Sequence, residues 1–159
     1  MVLEAGGTGW EKIQSLFSAV RMWGGSVQTA YVAQGVLDAV VAGTLVWLWR
    51  APVASELKAA ALPCACLLTT PYVLDYDLVA LAVCFAFFAR FALPEGFRDY
   101  EVSALAFAWI TPLIARSIAG MSGIPVGLAG MLALYALTLR RAWLELGYSG
   151  TRWRAQVAQ

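Results

Sequence analysis

An all-α fold, a polytopic bundle of membrane-spanning helices, is what this sequence predicts, and three observations predict it. Of 159 residues, 61% are apolar and 13% charged, and the mean hydropathy is +0.71. That is too apolar for a water-soluble domain of this size. The few charges are also segregated: residues 59 to 74, 78 to 89, 102 to 115 and 117 to 139 carry none, and 22 to 49 carries only Asp38. A bilayer core asks for about 20 mostly apolar residues per helix and penalises a central charge by several kcal/mol, so such runs mark crossings. Finally, the cations alternate between loops as they should if the chain weaves through a membrane.

The elements follow in order. Residues 1 to 26 predict an interfacial amphipathic helix. Thr8 with Glu11 makes a capping box, and Ile13, Leu16, Phe17 and Val20 share one face at i, i+3, i+4, i+7. Lys12, Gln14, Ser15, Ser18 and Arg21 take the remaining surface, Trp10 and Trp23 bracket the helix at head-group depth, and Gly24-Gly25 stop it. With no basic start and no continuous apolar run of roughly 7 to 15 residues, this segment is not a signal peptide.

Five crossings are expected after it, at about 27 to 49, 57 to 74, 76 to 93, 102 to 119 and 124 to 141, with a tail over 142 to 159. The break between the second and third lies within 69 to 77. Thr70-Pro71 has the form of an N-cap with proline at the first helical position, so the second span can stop near Leu68 and the third begin at Pro71. Alternation then puts eight cations (Arg50, Lys58, Arg90, Arg98, Arg140, Arg141, Arg152, Arg154) on one side and three (Lys12, Arg21, Arg116) on the other. The positive-inside rule makes the first side cytoplasmic. Residues 1 to 26, the break and the loop at 117 to 125 therefore face outside. Arg140, Arg141, Arg152 and Arg154 with Trp143 and Trp153 read as a cytoplasmic anchor.

Composition excludes several functions. A net charge of +1 gives no basic face for nucleic acid, and the absence of histidine removes His general bases, Ser-His-Asp and Cys-His systems. Cys64, Cys66 and Cys84 sit in apolar stretches without a Cys-x-x-Cys pair and read as buried free thiols. Phe85, Phe87, Phe88 and Phe91 read as lipid-facing or packing surface. Asp38 lies mid-membrane with Gln34 one turn away, and its partner is expected on helices outside this chain. The start at Met1-Val2-Leu3-Glu4 is likewise expected to be a point inside a longer protein, because no earlier span carries the first helix outside.

The densest polar cluster in apolar sequence is Thr69-Thr70-Pro71-Tyr72-Val73-Leu74-Asp75-Tyr76-Asp77. Irregular backbone at membrane depth is tolerated only beside protein or a water-filled cavity. Two carboxylates and two phenols there can bind sugar hydroxyls or orient an acceptor; equally, Asp75 or Asp77 can cap the following helix. The same groups can hold a cation, but two acids at i, i+2 point to opposite sides of a helix, so a metal pair needs the break to be extended, and no metal ligand is assigned. Lys12, Arg21 and Arg116 share that outer face, and a guanidinium fork suits the phosphate of a membrane lipid.

Trp10-Glu11-Lys12-Ile13-Gln14-Ser15-Leu16-Phe17 with Val20-Arg21 and Gly24-Gly25, followed by Thr70-Pro71-Tyr72-Val73-Leu74-Asp75-Tyr76-Asp77-Leu78, resembles the C-terminal part of glycosyltransferase family 87. The resemblance implies a membrane glycosyltransferase of the GT-C architecture. It implies transfer of a hexose, typically mannose, from a polyprenyl-phosphate donor to a glycan or glycolipid acceptor outside the cytoplasmic membrane, without a further cofactor. The family's general base lies in a first outer loop that has no counterpart here, so no catalytic residue carries over, and the partners would include the missing N-terminal helices. What carries over is a lipid-facing wall, open to substrate as well, of Lys12, Gln14, Ser15, Arg21, Tyr72, Asp75, Tyr76 and Asp77, to which the charge pattern adds Arg116 as a substrate-binding residue. The alternative is a non-enzymatic polytopic module, a transporter subunit or assembly partner.

Overall fold

A computed structural model describes the backbone of residues 9–157 and the side chains of residues 9–147. Among the described residues six α-helices follow one another: α1 (Leu16–Met22), α2 (Val27–Arg50), α3 (Ser55–Leu68), α4 (Leu81–Glu95), α5 (Glu101–Ser122) and α6 (Val126–Val157). Two 3-10 turns, Trp10–Lys12 and Asp75–Ala80, precede α1 and α4. The all-α class holds. Three helical stretches are long and apolar enough to cross a membrane: Val27–Arg50, Asp75–Glu95 and Glu101–Ser122. Two of the five expected crossings fall short of that standard. At 14 residues, α3 is about 21 Å long against a hydrocarbon core of about 30 Å, and α6 carries Arg140, Arg141 and Glu145 along its length.

The second expected span ends at Leu68 rather than 74, and the cause is local. The hydroxyls of Thr69 and Thr70 donate to the carbonyls of Ala65 (2.9 Å) and Cys66 (2.7 Å), closing the last turn of α3. Thr70 precedes a proline and is therefore pushed out of helical conformation. Pro71 does not begin the next helix; non-helical backbone runs to Leu74, and the 3-10 turn starts at Asp75. Leu74 N–H donates to Asp77 Oδ2 (2.9 Å) while Asp77 N–H donates to the Leu74 carbonyl (3.0 Å). The capping role open to the two acids thus belongs to Asp77.

The expected amphipathic helix over 1 to 26 is corrected. Thr8 lies outside the described residues. After the Trp10–Lys12 turn the chain extends at Ile13, which pairs with Leu74 as an isolated antiparallel bridge, and helix resumes only at Leu16. Ser15 is the true N-cap, accepting from Ser18 N–H at 3.1 Å. Gln14, Ser15 and Ser18, expected on the polar surface, are buried instead. Their partners come from elsewhere in the chain: Gln14 N–H donates to the Val73 carbonyl (2.7 Å), Ser15 Oγ to that of Pro71 (2.7 Å), and Gln14 Oε1 accepts from Gly127 N–H (3.2 Å). A Cβ at position 127 would press on the Gln14 carboxamide, so glycine there is what lets the segment dock. Gly24, at φ +82°, ends α1 as expected.

Short as it is, α3 is the hub of the bundle, packing along α4, α6 and α2. Its buried face is Leu57, Ala60, Ala61, Cys64, Ala65 and Leu68, and the small alanines let neighbouring backbones come close. α5 and α6 cross where Gly130 meets buried Thr111. Gln34 ties α1, α2 and α3 together: its Oε1 accepts from Phe17 N–H (3.1 Å), and its Nε2 donates to the Leu68 carbonyl (2.9 Å) and to Asp38 Oδ1 (2.8 Å). Asp38 therefore has a partner on its own helix. Cys64 and Cys84 are buried as expected, but Cys66 is exposed.

The loops sort to two ends of the bundle. At one end the N-terminal segment, the 69–74 break and the start of α6 meet through the bonds above, and Trp23 Nε1 donates to the Gly123 carbonyl (2.9 Å). At the other end Glu145 accepts from Ala54 N–H (3.2 Å), placing a carboxylate at the start of α3 where the helix dipole favours it. Glu101 and Arg141 form an ion pair there at 3.1 Å, with side chains 0% and 3% exposed. Arg141 is thus not the surface anchor that the sequence suggested. Of the remaining anchor residues, Arg152, Trp153 and Arg154 lie outside the described side chains.

Candidate functional site

α4 and α5 make little contact with one another, and a cleft of about 700 Å³ opens between them and the Asp75–Ala80 turn. Its geometry follows from helical spacing. Asp75, Leu78, Ala82 and Phe85 fall at i, i+3, i+7, i+10 along the turn and α4, while Trp109, Pro112 and Arg116 fall at i, i+3, i+7 along α5. Two faces of matching length therefore look at each other across the gap. Phe85 and Trp109 meet edge to face, with centroids 5.4 Å apart.

The polar groups collect at one end. Arg116 Nη1 lies 3.8 Å from Asp75 Oδ2, with side chains 57% and 23% exposed, and Tyr76 stands beside them. At that distance and exposure the pair is loose, worth at most about 1 kcal/mol, so an incoming anion can compete for the guanidinium. Asp75 also accepts from Tyr76 N–H through Oδ1 (3.1 Å), which orients its carboxylate at the start of the turn. A second apolar hollow of about 340 Å³ shares Phe85 and Trp109 and continues past Leu105 to Phe97 and Val102, at the opposite end of the two helices. The arrangement is amphipathic along its length. An anion with an attached polar group fits the Arg116 end, and an aliphatic chain fits the remainder.

Of the nine residues expected to bind substrate, the structure brings three together in the cleft: Asp75, Tyr76 and Arg116. Gln14 and Ser15 are buried and committed to holding the break. Asp77 caps the 3-10 turn. Arg21 folds back on its own segment, Nη1 donating to the Gly25 carbonyl at 2.7 Å with the guanidinium 5.3 Å above the Trp10 ring. Lys12 ends the first turn and Tyr72 lies half-buried in the break; neither lines the cleft. Trp109 and Pro112 were missed, although the i, i+3, i+7 spacing up to Arg116 was the signal that finds them. Phe85, read as lipid-facing or packing surface, is cleft wall. Phe88 is core, and Phe91 lies under the Arg141 guanidinium at 5.2 Å.

Comparison with protein-family models, with curated proteins and with solved structures finds no match to this chain.

Proposed function

We propose that the chain is the C-terminal membrane portion of a glycosyltransferase of the family 87 kind, moving a hexose, with mannose the first candidate, from a polyprenyl-phosphate donor to an extracytoplasmic glycan or glycolipid acceptor. The observation that carries this reading is the cleft. Its Arg116–Asp75–Tyr76 end offers a charge-assisted donor for phosphate and two oxygens for sugar hydroxyls, and its aromatic and apolar length suits a prenyl chain. In such a transfer a preorganised guanidinium stabilises the charge that grows on the departing phosphate. Among the described residues, Arg116 is in a position to do so. The acceptor's proton needs a base, and no residue here is assigned that role.

The proposal includes five crossings of the cytoplasmic membrane. The end with the N-terminal segment, the break and Gly123 faces outside, and the end with Ala54, Glu101 and Arg141 faces the cytoplasm. Sorting of the loops to two ends supports it, as does the eight-to-three division of cations. Flanked by α2, α4 and α6, α3 completes its crossing with the non-helical Thr69–Leu74 segment, backbone that protein surrounds.

Binding is the direct test. Polyprenyl phosphate titrated against the reconstituted full chain should bind Arg116→Ala roughly 10- to 150-fold more weakly than wild type, the loss of one charge-assisted phosphate contact. Arg116→Lys should recover only part, because an ammonium lacks the fork. Arg21→Ala, outside the cleft, serves as the control. If Arg116→Ala binds like wild type, or Arg21→Ala weakens binding as much, the cleft is not the phosphate site and the polytopic-module reading takes its place.

A further inference from the structure

Cys64 on α3 and Cys84 on α4 touch inside the core. Both are fully buried, and the Cys64 thiol donates to the Cys84 sulfur with the two Sγ atoms 3.1 Å apart. A disulfide bond is about 2.05 Å long, so a small approach of the two side chains would suffice to join them. Their helices are not an arbitrary pair: they flank the non-helical 69–74 segment and pack closely along each other. Cys66, two residues along α3, is exposed and lies away from this contact.

We propose that Cys64 and Cys84 are an oxidisable dithiol, a modification site that forms a reversible intramolecular disulfide and pins α3 to α4 on both sides of the break. Two S–H bonds are lost and one S–S bond forms. The two electrons and two protons pass to a lipid-soluble quinone, which leaves as the quinol. Both thiols are shut inside the core, so oxidation waits on a local parting of α3 and α4; a quinone dissolved in the apolar phase around the helices is then at hand, whereas a water-soluble disulfide such as oxidised glutathione does not enter that phase. Once formed, the bond shortens the path by which the Thr69–Leu74 segment can move, and with it the turn that carries Asp75 and Tyr76 into the cleft.

The test uses the full chain in lipid nanodiscs, treated with decylubiquinone, then denatured, alkylated with N-ethylmaleimide and weighed intact. Reduced protein should take three alkyl groups, one per cysteine, and oxidised protein one, with dithiothreitol restoring three. Oxidised Cys66→Ser should take none, while Cys64→Ser and Cys84→Ser should each keep both of their remaining sites open to alkylation. Amide exchange across 69–74 should slow in the oxidised form. Three alkyl groups on quinone-treated wild type, loss of sites in oxidised Cys64→Ser, or exchange across 69–74 that does not change with oxidation would each overturn the proposal.

Discussion

Removing both charges of the Glu101–Arg141 pair should destabilise the protein far less than the two single removals summed. Arg141 Nη1 donates to both carboxylate oxygens (3.1 and 3.2 Å), Nη2 to the Gly96 carbonyl (3.0 Å), and Glu101 Oε2 also accepts from Arg98 N–H (2.8 Å). With side chains 0% and 3% exposed, neither charge is relieved by solvent. Glu101→Leu strands a buried guanidinium, and Arg141→Met strands a buried carboxylate with one backbone donor. Each should cost about 3 to 5 kcal/mol. In Glu101→Leu with Arg141→Met no charge is left, and the cost falls to the two orphaned backbone groups, Gly96 C=O and Arg98 N–H, together about 2 to 6 kcal/mol. The double mutant should therefore cost less than the sum of the singles, by about 4 kcal/mol at mid-range. Reversible unfolding in mixed micelles of increasing dodecyl sulfate, followed by tryptophan fluorescence, measures all four proteins. Single mutants costing less than about 1 kcal/mol each, with additive effects, would show that the pair is hydrated and does not hold the α5–α6 end together.

Two further outcomes are expected. Gln34→Leu deprives Phe17 N–H of its acceptor and the Leu68 carbonyl of a donor, a loss of about 1 to 3 kcal/mol, so amide exchange at Phe17 should speed up roughly 5- to 150-fold; unchanged exchange there would mean that Gln34 is not the tie between α1 and the bundle. In a background with Cys64, Cys66 and Cys84 replaced by serine, an impermeant maleimide should label exposed Thr70→Cys and Met121→Cys from outside intact cells and spare exposed Ser55→Cys and Asp99→Cys. Labelling of position 55 from outside would reverse the proposed topology.

The long helices were legible because lipid makes charge expensive, so a charge-free run is a near-direct image of a buried or lipid-facing helix. α2, α5 and the start of α6 appear within a few residues of where those runs place them. The end of α3 was half legible. Proline after threonine announces a break, but whether the hydroxyls of Thr69 and Thr70 close the helix behind them or open the one ahead depends on which carbonyls lie within reach. The N-terminal segment was misread for a deeper reason: a polar residue at helical spacing carries the same pattern whether water or a distant backbone group satisfies it. Gln14 and Ser15 find their partners at Gly127 and Pro71, contacts that no local periodicity encodes.

That same distinction is what isolates the site. Polar groups in a membrane protein are costly, and most of those at the end of the bundle that holds the 69–74 break are used up structurally: Gln14, Ser15 and Ser18 on backbone carbonyls, Gln34 on three elements, Asp77 on its own turn. Asp75 and Arg116 differ, since each faces a cavity and their mutual contact is at the limit of an ion pair. The cavity exists because the 3-10 turn interposes six residues before α4 begins, and because Phe85 and Trp109, meeting edge to face, prop α4 and α5 apart at side-chain distance. A smaller side chain at either position would let the helices close, as small residues do where Gly130 meets Thr111. Bulk at Phe85 and Trp109 and smallness at Gly130 thus divide one bundle into a sealed seam and an open one, and the loosely paired Arg116 stands at the mouth of the open seam.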